Sequence, residues 1–95
     1  MQLHQTIKTL KEEAIKNADG KDFTFGQALS NILLDAKEGG KMKMFILATK
    51  CFNDAEIKLD NADLLLIKKT INDTEAYGNL VTGQLLIALE DEKSA

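Results

Sequence analysis

Apolar residues near the start of the chain recur in steps of three and four: Leu3, Ile7, Leu10, Ala14 and Ala18, with Ile15 alongside. That spacing puts them on one side of a helix and leaves Lys8, Lys11, Glu12 and Lys16 for water. The pattern predicts a first helix over 3–18, stopped by the left-handed turn that Gly20 permits. Thr24 followed three residues later by Gln27 has the form of a capping box. Behind it Phe25, Ala28, Leu29, Ile32, Leu33 and Ala36 make a helical stripe, which predicts a second helix over 25–37, broken by Gly39-Gly40.

A third helix is predicted over 41–52, where six of the seven residues 42–48 are apolar and no narrow stripe accounts for them. Glu56-Ile57-Lys58-Leu59 then alternates as a short strand does. Asp60 can cap a fourth helix over 61–72, with Asp63 favourable at its positive end. A fifth helix is predicted over 74–90. Gly78 and Gly83 fall inside it, so either the helix starts after Gly78 or the glycines admit another backbone. The second reading is preferred.

Together these elements describe an all-α, compact five-helix domain spanning 1–95. Two segments repeat an apolar residue, a cap and a polar third position: Phe23-Thr24 with Gln27, and Leu59-Asp60 with Asp63. Set face to face, they would pair 22–24 with 57–59 as a minimal β ribbon, the arrangement of paired EF-hands. A calcium loop, however, would put Lys16 in its first ligand position and end on Gln27, and the second unit would begin on Phe52. Neither can ligate calcium.

Composition narrows the chemistry further. The chain has 95 residues, 44% hydrophobic and 28% charged, with a formal charge of −3. That is the make-up of one globular domain with no general attraction for nucleic acid or anionic lipid. Its apolar runs are too short for a membrane span, and the polar amphipathic start does not read as a secretion signal. His4 and Cys51 alone are too few for a zinc site, and a single cysteine fits a reducing compartment. Ser30 and Ser94 lack a glycine elbow, and Gly39-Gly40-Lys41 lacks phosphate-loop spacing. No catalytic residues, metal or cofactor are expected, and an enzyme is not.

Lysines 41, 43, 50, 68 and 69 fall in mid-chain, but with no Arg in the sequence the bidentate reader of guanine and phosphate is missing. DNA binding is therefore a third-ranked reading. The leading signal is excess hydrophobicity: the last three predicted helices carry apolar residues around more of their circumference than one core requires. The expected interaction surface comprises Met42, Met44, Ile46, Leu80 and Ile87, with Gly78 and Gly83 allowing close approach. It would serve self-association as a homo-oligomer or binding to another protein, with nucleic acid and membrane not expected as partners. The alternative is a small-ligand or nucleotide-sequestering pocket between subunits, where Lys41 and Lys43 would meet phosphate and Tyr77 would stack on a base.

The run Thr24-Phe25-Gly26-Gln27-Ala28-Leu29, the junction Gly39-Gly40-Lys41-Met42-Lys43 and the cap Asp60-Asn61-Ala62-Asp63 resemble a type of small protein encoded by bacteriophages and prophages. The resemblance covers about 24–89. It implies a viral or prophage protein working in a bacterial cytoplasm and carries over no catalytic residues.

Overall fold

A computed structural model describes residues 2–37 and 40–90. Gly39 of the predicted break and Ser94 lie outside the described residues. Four helices follow an extended N-terminal segment: α1 (Phe25–Asp35), α2 (Lys41–Asn53), α3 (Asn61–Asp73) and α4 (Asn79–Glu90). α1 is central and touches the other three helices, while α1 is the one helix that α2 packs against. The four helices match the second to fifth predicted, with ends moved by a few residues.

The local causes are those expected. Thr24 and Gln27 form the reciprocal capping box of α1, and the Asp60 side chain accepts from the Asp63 N–H, 2.8 Å away, at the start of α3. Phe25, Ala28, Leu29, Ile32 and Leu33 are buried along α1, each large side chain contributing roughly 1.5–3 kcal/mol. α4 begins only after Gly78. The preferred reading, with both glycines inside a longer helix and approached by another backbone, is thereby corrected: a Cβ at either Gly78 or Gly83 would meet nothing within 4 Å.

The predicted first helix does not form. Residues 2–24 run as extended passes joined by two tight turns, held by isolated antiparallel pairings that do not extend into a sheet among the described residues. Thr6 pairs with Thr24, Lys8 with Ala14 and Lys16 with Asp22. The repeat is eight residues long. Ile7 N–H donates to Phe23 O (2.8 Å), Phe23 N–H to Ile15 O (2.8 Å) and Ile15 N–H to Ile7 O (2.9 Å), closing a ring of three backbone bonds. The turns repeat as well: Thr9 N–H donates to Glu13 O and Glu12 N–H to Thr9 O, just as Asn17 N–H donates to Lys21 O and Gly20 N–H to Asn17 O. In each turn the residue after the bend is left-handed, Glu12 at φ 62° and Gly20 at φ 83°.

The predicted ribbon between 22–24 and 57–59 is also absent: the N-terminal segment pairs with Thr24 on one side and with 55–56 on the other. Gln2 pairs with Glu56 and Leu3 N–H donates to Ala55 O, while Thr24 pairs with Thr6. The same segment completes the α1 terminus. Phe25 N–H donates to Gln5 O and Gly26 N–H to Leu3 O, each at 2.8 Å, so two orphan donors of the first turn are satisfied by main chain. α4 closes over this segment through Gln84, whose side-chain amide donates to Lys8 O (2.7 Å) and accepts from Lys8 N–H (3.0 Å).

Gly26 is the tightest point in this arrangement. A Cβ there would collide with the Cys51 carbonyl oxygen of α2 and sit 3.1 Å from Leu3 O and 3.2 Å from Leu3 Cβ. Gly26→Ala should therefore destabilise the fold by about 1–3 kcal/mol, the range of overpacked cores, read from the midpoint of urea unfolding. The two left-handed turn positions should respond in opposite directions. Gly20→Ala should cost about 1 kcal/mol, whereas Glu12→Gly, relieving the same backbone strain, should stabilise by about 0.5 kcal/mol.

Candidate functional site

α2 has apolar side chains on two opposed faces. Met44, Leu47, Ala48 and Cys51 are buried and face α1 and the core. On the other side Met42 (77% exposed), Phe45 (62%), Ile46 (46%) and Phe52 (62%) are open to solvent. Their steps of three, four and seven make a stripe along the helix. Thr49 interrupts it in name only, since its hydroxyl donates to the Phe45 carbonyl at 2.9 Å and needs no outside partner. No other described helix shows more than two exposed large apolar residues: Leu34 on α1, Leu65 on α3, and Leu80 and Ile87 on α4.

The expected surface residues thus separate. Met42 and Ile46 belong to the α2 stripe, but Met44, expected beside them, turns into the core because it sits opposite them on the helix. Leu80 and Ile87 are exposed on α4, a helix that α2 does not contact. Phe45 and Phe52 were not among the expected surface residues. The signal was present in the sequence, since Phe45 and Phe52 are seven apart and Phe45 is three from Met42.

The charges around the stripe are all positive within the helix: Lys41, Lys43 and Lys50, with no carboxylate between 41 and 53. Lys43 reaches across to Asp63 of α3 at 2.7 Å, and that hydrogen bond, with the carboxylate charge, raises its pKa. Lys68 and Lys69 likewise sit against Glu90 and Asp73. Of the five mid-chain lysines, Lys41 and Lys50 are left without an ion-pair partner among the described residues. Helical spacing puts them on opposite edges of the stripe.

Tyr77 is engaged elsewhere. Its hydroxyl accepts from Asn31 Nδ2 at 2.7 Å and its ring lies 5.6 Å from that of Phe23, tying the start of α4 to α1 and the N-terminal passes. A small cavity beside it is lined by Ile71, Asn72 and Thr82, among others, and by no lysine. Within one chain, then, the structure does not bring Lys41 and Lys43 to Tyr77. A larger groove of about 480 Å³ opens between the ends of α1 and α3, with Ile32, Ala36 and Leu66 as an apolar floor and Asp35, Lys37, Lys69 and Asp73 at the rim. Among the described residues no group of three or more His, Cys, Asp or Glu could hold a metal ion, and no helix is long and apolar enough to cross a membrane.

Cys51 is buried on the inner face of α2. Burial, and secondarily the charge of Asp54, pushes its thiol up to about 12. At neutral pH the folded protein should therefore resist thiol reagents that modify the unfolded chain at once. The same shift sets a pH dependence. The unfolded thiol ionises near 9.0 while the folded one stays protonated to about 12, so stability should fall as pH rises through that interval. Cys51→Ala should abolish this part of the alkaline loss, measured by urea unfolding across the alkaline range.

No protein-family model, curated protein or solved structure matches this chain.

Proposed function

We propose that the protein is a non-enzymatic interaction module whose working surface is the outer face of α2. The observation behind this is the double-sided apolar character of that helix: one side fills the core, and the other leaves Met42, Phe45, Ile46 and Phe52 in water. Full burial of such side chains is worth roughly 1.5–3 kcal/mol each, and the exposed part of each, about half to three-quarters, is what a partner can still cover. A protein surface laid on the stripe gains this without disturbing the fold, and the module acts by occupancy. The origin implied by the resemblance belongs to the same proposal: the partner would be a host or phage protein in a bacterial cytoplasm. A small-ligand role is the second reading, and the groove between the ends of α1 and α3 favours it, because an apolar floor with a charged rim suits an amphipathic molecule.

Because the stripe is not core, Phe45→Ser/Phe52→Ser should change unfolding free energy by no more than about 0.5 kcal/mol and keep the far-ultraviolet circular dichroism. A photo-crosslinking residue placed at Ile46 should form a discrete protein adduct in cells. The same residue at Lys58 should not, and the double serine change should remove the Ile46 adduct. Loss of folding in the double variant, or equal adducts from both positions, would count against the proposal.

A further inference from the structure

The charge pattern around the α2 stripe specifies the chemistry of its partner, an inference that rests on the docking role proposed for this face. We infer that the occupant is an amphipathic helix of another protein whose apolar stripe is edged by carboxylates. Two ridged helices bury such stripes by interdigitation, and the groups along their edges then lie within a few ångströms of one another. On this protein those edges are Lys41 on one side and Lys50 on the other, each without an ion-pair partner among the described residues. The lysine that could have confused the pattern, Lys43, is held by Asp63.

The same charges argue against the two other occupants of such a surface. A second copy laid parallel to the first would offer the lysines no carboxylate, since none lies between 41 and 53; a copy laid antiparallel would set Lys41 near the Asp54 cap of its mate, and that pairing is one of the outcomes the test separates. An anionic bilayer is a plane wider than one helix. It would face a chain of net charge −3 with Asp54 at the C-terminal cap of α2. A single acidic helix can be confined to the stripe and its two lysines. Thr49 adds no penalty when covered, because its hydroxyl is already bonded to Phe45 O.

The test uses the whole chain and two labelled synthetic helices that share a leucine stripe, one edged with glutamates and its twin with lysines, followed by fluorescence anisotropy. The wild-type protein should bind the glutamate-edged helix at least about tenfold more tightly, with the difference shrinking as salt is added. Lys41→Glu/Lys50→Glu should invert the order, and Phe45→Ser should weaken binding of the preferred helix about tenfold in both backgrounds. Equal binding of the two helices, or preference of the wild type for the lysine-edged twin, overturns the inference. So does binding of neither, or a Phe45-dependent dimer in light scattering, or tighter binding to phosphatidylglycerol vesicles than to the acidic helix. In each of these cases an Ile46 crosslink that still depends on Phe45 and Phe52 keeps the docking role, and its loss removes that too.

Discussion

The structure turns on one close crossing, where the extended N-terminal segment, the first turn of α1 and the last turn of α2 meet at Gly26. Its N–H donates to Leu3 O, and the missing side chain is the space into which the Cys51 carbonyl fits. Leu3 is gripped from both sides, since its own N–H donates to Ala55 O beyond α2. Three segments distant in sequence are thus fixed by backbone bonds before any side-chain packing is counted. Leu3 and Ile7, fully buried, then supply the apolar weight that keeps the segment in place.

That crossing also decides what is left over. α2 is held to the body along one side, by α1 and the N-terminal segment, and no other described helix reaches round to its far side. Its length of 13 residues with apolar groups on two faces would be a defect in a helix placed centrally like α1 and surrounded by neighbours. Placed at the edge, it becomes an exposed ridge with a lysine on either margin. The acidic groups that would balance those lysines lie instead on α3 and α4, where Asp63, Asp73 and Glu90 are already bonded to Lys43, Lys69 and Lys68.

The N-terminal segment carries a helical spacing and yet runs extended, for a definite physical reason. Leu3 and Ile7 are four apart, a spacing that puts two residues on the same side of a helix and equally on the same side of an extended strand. Leu10 separates the alternatives: a helix buries it, whereas it stands 93% exposed in the first turn. The longer repeat of Ile7, Ile15 and Phe23 at intervals of eight was legible, as was Gly20 at the same interval from Glu12, but it carries meaning only once the backbone ring is known. Glu12 masked it, because a non-glycine residue in a left-handed turn has no sequence signature.

Local chemistry, by contrast, was readable directly. The Thr24–Gln27 box, the Asp60 cap, the helical stripe of α1 and the surplus of apolar residues in α2 follow from side chains that act on neighbours within four positions or on no neighbour at all. Which surplus residues stay in water depends on contacts across the whole chain. Met42 and Met44 are two apart and alike in chemistry, yet one is exposed and the other buried, because α1 covers a single side of their helix. The amino-acid sequence therefore determined that α2 would be apolar beyond its needs, while only the tertiary packing chose the face that is left uncovered.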